Sequence, residues 1–480
     1  MDAQSLHAVE DAACAAPAED ADRRLIEGAL RAFDQICVHL PDRRARGIDP
    51  LPRLCALAAD RPASPTRLYR TLQEIFAAFG DRHTRLVLPA TESRHFAALP
   101  FTVGACWDQG VMALLVTGSA DPRLRPGDRL HCWNGQPIAA ALDAHGVWQL
   151  GANSAARIAK AVQTLTIRPL ALLPQPQEQA VAIEVETASG TRRMTVDWQV
   201  ATAEALARTC AAWGPPEPDF EAVTGDLRHR RLATPAGDIG WIRIASLQAP
   251  ADHLLPLLAD LLQRQPRTGV VIDLRGCEEG LVQTGERMLG LFTDRPVTPL
   301  GFQLRPTDWM RDLANHSPAL APWREPIEAA RRAGDSHTGT RPLTPPQSIG
   351  LPGRHYTGPV IVLVDALTYS TAEMFAAGVQ DHRIGKVIGV AQRTGGGGGS
   401  AWSQQLIHQL SGDPLFAPAG DAASLRVAVL RCRRTGAQAG RLLEGDGVVP
   451  DAVHVLTRRD LLEGEADLIE RVIHACRTMQ

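Results

Sequence analysis

The stretch Gly358-Pro-Val-Ile-Val-Leu-Val-Asp-Ala-Leu-Thr-Tyr-Ser-Thr-Ala-Glu-Met-Phe-Ala-Ala-Gly-Val-Gln-Asp381 decides the fold. Gly358 to Asp365 is a short, β-branched apolar run bounded by Gly-Pro, and reads as a buried strand. Ala372 to Val379 reads as a helix. Between them lies a sharp turn carrying Thr368, Tyr369, Ser370 and Thr371. A serine there sits beside the unpaired first N–H groups of a helix and its positive dipole end, which suit an oxyanion. Ser370 is therefore a candidate nucleophile. The competing reading is a capping box, Ser370-x-x-Glu373, in which the serine only caps the helix.

The chain has 480 residues, enough for two to three domains. The net charge of −3 and the lack of a long basic run give no reason to expect a nucleic-acid partner. Only two lysines, Lys160 and Lys386, stand against 48 arginines, which restricts any lysine-dependent chemistry to those two positions. Residues 1–22 are acidic, Ala-rich and without an apolar segment, and read as a mobile leader rather than a signal peptide. No run approaches a membrane span. Nine scattered cysteines without framework spacing point to a reducing compartment, hence a cytoplasmic expectation.

Outward from the central stretch, residues 236–480 alternate strands and helices, which implies a mostly parallel, covered sheet. Strands are expected at Ile239–Ile244, Val270–Leu274, Lys386–Val390 and Ser424–Cys432, and helices at His253–Gln263, Gly285–Phe292 and Asp460–Ile473. The Pro-rich segment 296–355 reads as an irregular excursion. Thr394 to Ser400 encloses five glycines, either a ligand-approaching turn or a flexible loop. Upstream, residues 23–95 read as a helical region, with helices over Arg24–Leu40 and Ser64–Phe79 stopping at Gly80. Just beyond that stop, His83 lies between Arg82 and Arg85 and is a candidate base, or a loop histidine bonded to backbone. Residues 96–200 read as a β-rich domain with strands at Phe101–Ala105, Val111–Thr117 and Val181–Thr187, an Asn134-Gly135 hairpin and a helix over Ala155–Leu165. Residues 201–235 hold a helical piece, Ala203–Trp213, and a linker, Gly-Pro-Pro-Glu-Pro-Asp.

The chain lacks G-x-S-x-G, H-E-x-x-H, paired C-x-x-C and P-loop patterns. Cys277 could be a thiol nucleophile, but nothing near it in sequence would lower its pKa, and buried packing is the commoner role.

Taken in order, several segments resemble the tail-specific, or carboxy-terminal processing, protease superfamily. Gly80-Asp-Arg-His-Thr84 resembles its Asp-Gly-His-Thr segment, and Ile272-Asp-Leu-Arg-Gly276 its Asp-Leu-Arg-x-Asn-x-Gly-Gly strand and loop. Val362 through Glu373 resembles the nucleophile turn, and Gly389–Gly396 with Glu444-Gly-Asp-Gly-Val-Val-Pro-Asp451 the closing segments. Arg125 to Ile138 resembles part of the PDZ-like domain that such proteins insert. The resemblance implies an α/β fold: a crotonase-like (ClpP-like) protease core, a PDZ-like β domain and a helical N-terminal region. The polyglycine run stands where the Ser-Lys branch carries its lysine, so the likeness is to the tricorn-like Ser-His-Glu branch.

On that resemblance Ser370 is the nucleophile, His83 the base and Glu444 the carboxylate that orients it. The oxyanion hole is expected from Thr371 with Gly280 or Glu279. Gly276, Cys277, Glu278, Thr394, Gly395 and Gly396 are expected at the substrate. The expected reaction is hydrolysis of a peptide or protein through an acyl-enzyme, with no metal, cofactor, nucleic acid or membrane involved and with homo-oligomers allowed. Cys277-Glu278-Glu279-Gly280 departs from Asn-x-Gly-Gly. Glu279 is thus expected in a glycine conformation, and Glu278 and Glu279 are expected to meet a basic residue or free amine of the substrate. The alternatives are a peptide cyclase or transpeptidase using the same acyl-enzyme, a binding protein that has lost the chemistry, and a crotonase-like acyl-CoA enzyme.

Overall fold

The computed structural model describes residues 18–479 apart from 90–94, 171–172, 174–177, 207–218, 236 and 351–352. Most of the linker, of the expected leader and of the helix Ala203–Trp213 therefore lies outside the described residues.

A seven-stranded sheet forms the centre, in the order 221–222, 227–232, 239–244, 270–273, 360–364, 386–389, 452–453. The first two pairings are antiparallel and the remaining four parallel. The strand Val360–Val364 explains why its sequence is apolar without alternation. Val360, Val362 and Val364 pack into the main core with the helices Ala251–Gln263, Val282–Met288 and Thr371–Asp381. Ile361 and Leu363 pack on the other face against Leu468 and Val472 of the helix Ala466–Arg477. Successive side chains point to opposite faces, and both faces are covered.

The N-terminal helices share that core. Phe33, Phe76 and Phe79 belong to the same buried cluster as Val362 and Phe375. The first helix ends at Arg31 and continues as one π-turn, Ala32–Ile36, rather than running unbroken to Leu40. The helix Pro65–Phe79 stops at Gly80, whose φ of 73° supplies the left-handed C-cap that the sequence suggests. The chain then enters a short strand, Arg85–Val87, antiparallel to the long strand Ser424–Arg433.

The segment 296–355 is not irregular. It contains the strand Gly301–Gln303 and the helices Asp308–His316 and Arg324–Ala333. It is tied to the N-terminal region: Arg305 donates to the carbonyls of Phe33 and Cys37 (3.1 and 3.2 Å), and Thr307 donates to that of Gln35 (2.7 Å).

Residues 101–197 build a separate antiparallel sheet in the order 101–108, 111–119, 129–133, 180–187, 190–197, with the helices Ile138–Gly146 and Ser154–Leu165 and a core of its own. The Asn134-Gly135 turn has φ of 48° and 79°, as a tight hairpin requires. The hydrogen bond from Trp107 N–H to Leu456 C=O (2.7 Å) joins this domain to the C-terminal segment.

Candidate active site

In open parallel sheets, sites form beyond the carboxyl ends of the strands. Three loops meet there: 274–281 after Val270–Asp273, 365–370 after Val360–Val364, and 390–399 after Lys386–Gly389.

The 365–370 turn is fastened by Asp365. Its carboxylate accepts the N–H groups of Leu367 (3.0 Å), Thr368 (2.7 Å) and Gly276 (3.1 Å), which clamps the turn to the neighbouring loop. The turn delivers Ser370 at φ 56°, ψ −128°. A non-glycine residue pays for such a backbone, and the strain persists only where its surroundings enforce it. Ser370 makes no capping bond, and Glu373 turns away from it, so the capping box does not form. The Ser370 C=O accepts the first helical bond, from Met374 N–H (3.0 Å), and leaves the Thr371 N–H at the helix's open end.

His83 Nε2 lies 3.3 Å from Ser370 Oγ. Asp81 holds the loop that carries the histidine. It accepts the N–H groups of His83 and Thr84 (both 3.0 Å) and the Thr84 hydroxyl (2.6 Å). Tyr369 locks that loop to the Ser370 turn: its hydroxyl donates to Asp81 (3.3 Å), and its ring lies 4.8 Å from the imidazole. Burial, with help from Arg426 and Arg85, pushes the His83 pKa down to about 4, although Asp81 opposes this. The imidazole is therefore neutral at physiological pH and can accept a proton.

Glu444 does not bond directly to His83. Its Oε1 accepts the Cys432 N–H (2.8 Å), and Oε2 and His83 Nδ1 are buried and without a partner among the described residues. Burial pushes the Glu444 pKa up to about 8.

The glycine-rich segment is not a flexible loop. Thr394 to Gly399 are buried, and their backbone is spent inside the protein. Gly396 and Gly397 donate N–H groups to Glu373 (2.7 and 2.8 Å), as does the Thr394 hydroxyl. At Gly397 any Cβ would collide with the Tyr369 ring, so close approach rather than flexibility demands glycine. Of the residues expected at the substrate, Thr394 and Gly396 bond to Glu373 of the helix Thr371–Asp381, and Gly395 donates its N–H to the Thr368 carbonyl (2.9 Å). Burial pushes the Glu373 pKa up to about 7.

On the opposite wall, Cys277 is fully buried, and burial pushes its thiol pKa up to about 12, which disfavours the thiolate. Gly276 takes φ 70° at the turn, whereas Glu279 needs no positive φ and is not strained. Glu278 pairs with Arg82 and, at 3.0 Å, with Lys160. Glu279 pairs with Arg85 (2.8 Å) and lies 3.6 Å from Arg426. Both acids meet cations of this chain, which accounts for the departure from glycine and asparagine without invoking a basic substrate. Gly280 sits against Leu247 and Thr371, where a Cβ would lie 2.5 Å and 2.9 Å from their Cβ atoms. Its parallel bridge to Leu247 uses the Glu279 C=O and the Leu281 N–H, which turns the Gly280 N–H to the other side.

Sequence reasoning missed four contributors. Lys160 reaches the site from the β domain. Asn153 of that domain donates to the carbonyls of Thr394 (2.8 Å) and Gly445 (3.3 Å). Asp81 and Asp365, each opening a turn with its carboxylate on later N–H groups, were legible as Asx-turns.

No metal-binding group of three or more ligands occurs among the described residues, and none of the described helices is long and apolar enough to cross a membrane. A search of curated proteins returns no match. Two structures of mature CPAF, one complexed with lactacystin, superpose with a TM-score of 0.68 at 15% identity; they cover 94% of this chain and 98% and 97% of theirs. The photosystem II D1 C-terminal processing protease aligns over 95% of this chain and 97% of its own at 16% identity, with a TM-score of only 0.42. The CPAF likeness establishes a shared fold. Residues 238–454, which carry the Ser370 turn and the loops around it, match the model of peptidase family S41.

Proposed function

We propose that the chain is a serine peptidase of the Ser-His-Glu type that hydrolyses peptide bonds through an acyl-enzyme on Ser370. The observation that carries this reading is the 3.3 Å approach of His83 Nε2 to Ser370 Oγ at a strained strand-to-helix turn. The Oγ proton passes to Nε2 as Oγ bonds to the substrate carbonyl carbon. The Thr371 N–H and the Gly280 N–H receive the resulting oxyanion, with the Glu279 N–H as a neighbouring donor. His83 then gives its proton to the leaving amine, and water repeats the sequence to free the acid. Glu444 serves as the third member through an intervening water: its direct bond goes to Cys432, and burial favours its neutral form until the His83 imidazolium develops.

The Ser-Lys alternative is disfavoured by what the lysines do. Lys160 Nζ is engaged by Glu278 and Gln163 (3.0 and 3.3 Å), and Lys386 is exposed at the start of a core strand. In this reading the central sheet and its helices are a crotonase-like core, residues 101–197 are a PDZ-like domain, and the substrate is an extended peptide. The cysteine usage favours a cytoplasmic setting.

The test is mass spectrometry of peptide-library products. Wild type is expected to yield fragments heavier by one water than the residues they contain, and Ser370→Ala none. Cleavage that survives Ser370→Ala would refute the assignment, and cyclic or amine-capped products would convert it to acyl transfer.

A further inference from the structure

Arg426 lies directly opposite Arg85 across the antiparallel strand pair that carries His83 into the site. Like charges facing each other across a ladder destabilise it unless an anion separates them. The structure supplies less anion than cation. Glu279 gives its Oε1 to Arg85 at 2.8 Å, and Arg426 reaches the same oxygen only at 3.6 Å. Gln248 takes the second Glu279 oxygen at 2.8 Å. Glu278 is likewise shared between Arg82 and Lys160. Four cations thus meet two carboxylates, and Arg426 is the underpaired member. Its side chain is 33% exposed and donates no hydrogen bond among the described residues.

The position of Arg426 matters as much as its charge. Glu279 adjoins Gly280, which packs on Thr371, and the fields of Arg426 and Arg85 reach the His83 imidazole and disfavour its charged form. Other carboxylates nearby are already committed: Asp81 to the His83 and Thr84 N–H groups, Asp365 to its own turn and to Gly276. Arg85 and Arg426 share one face of the sheet by register, with Ser403 opposite Arg426 on its other side.

We propose that Arg426, seconded by Arg85, is a carboxylate-binding subsite that selects acidic substrates, through either an Asp or Glu side chain near the scissile bond or a free chain terminus. This rests on the peptidase reading for its place in catalysis, but not for its binding test. A guanidinium with open donors receives a carboxylate by charge-assisted hydrogen bonds.

The experiment measures binding of fluorescent peptides to the Ser370→Ala protein. Three peptides share one sequence: one with an internal Glu and an amidated end, one with Gln and an amidated end, one with Gln and a free carboxyl end. At low salt either acidic peptide is expected to bind about tenfold tighter than the neutral one, as for one hydrogen bond to a charged group. Which acidic peptide gains identifies the source of the carboxylate. Arg426→Gln is expected to bring the ratio to about one, and Arg426→Glu to favour a Lys-containing peptide. Equal binding of all three peptides, or a ratio unchanged in Arg426→Gln, overturns the proposal. Failure of wild type to cleave any peptide would instead count against the peptidase reading and leave this ratio measurable. Thermal melting of the Arg426 variants verifies that they are folded.

Discussion

Two pairs of glutamates flank Ser370, and they behave oppositely. Glu373 and Glu444, on the glycine-rich side, are buried, meet backbone N–H groups, form no ion pair among the described residues, and have pKa values pushed up by burial to about 7 and 8. Glu278 and Glu279, on the loop side, are partly exposed, meet cations, and are held below the ordinary carboxylate value by Arg82 and Lys160 and by Arg85 and Arg426, against the opposing effect of burial. The same side chain thus serves two ends. The inner pair fixes the geometry of the helix Thr371–Asp381 and of the glycine-rich segment, and the outer pair sets the charge on the loop side of Ser370. Burial without a cation favours the neutral acid, and pairing favours the carboxylate.

The largest effect should come from breaking the inner pair. Glu373→Ala strands the Thr394 hydroxyl and the N–H groups of Gly396 and Gly397, each an unsatisfied buried donor at about 1–3 kcal/mol. Chemical denaturation should show a loss of about 3 kcal/mol or more, with a matching fall in kcat.

The two pairs should also differ in the sign of their pH dependence. The inner pair has folded pKa values above the unfolded value. Its contribution to stability is fully present below about pH 4.5 and is lost as pH rises through 7 to 8. The outer pair has lowered folded values, so its contribution is present at neutral pH and is lost as pH falls below about 4.5. The melting temperature of Glu444→Gln relative to wild type should therefore rise between pH 6 and pH 9. The deficit of Glu278→Gln should instead shrink between pH 7 and pH 4. Parallel pH curves for the two variants would erase the distinction.

Smaller effects belong to the outer pair. Glu278→Gln frees Arg82 and Lys160 at about 1 kcal/mol or less, as for partly exposed ion pairs. The change should register mainly in KM. Glu279→Gly removes the anion between Arg85 and Arg426 and gains nothing from a positive φ, so it should destabilise by about 1 kcal/mol.

The contrast also marks what the sequence could reveal. The strand Val360–Val364 and the turn after it were legible, because a β-branched run buried on both faces has no other reading once a helix follows. The local pattern placed Gly80 correctly, and with it the start of the segment that carries His83. Glu373 was legible as a residue but not in its role: three positions after serine it reads as a cap partner, yet the strained Ser370 backbone turns it toward the glycines. Lys160 and Arg426 were invisible because they approach the site by tertiary packing, one across the domain boundary and the other by strand register. The helices of 296–355 were missed because prolines were read as breakers. Pro326 stands in the first turn of Arg324–Ala333, where the missing N–H costs nothing.

If a neutral His83 activates Ser370, a fluorophosphonate should label that serine at a rate that follows the state of the imidazole. Labelling of wild type should persist from pH 8 down to about pH 5 and fall only toward pH 4, where the imidazole takes its proton. It should vanish in Ser370→Ala and drop at least about a hundredfold in His83→Ala, within the range of a lost general base. A folded wild type that stays unlabelled, or a His83→Ala protein labelled at the wild-type rate, would contradict the account.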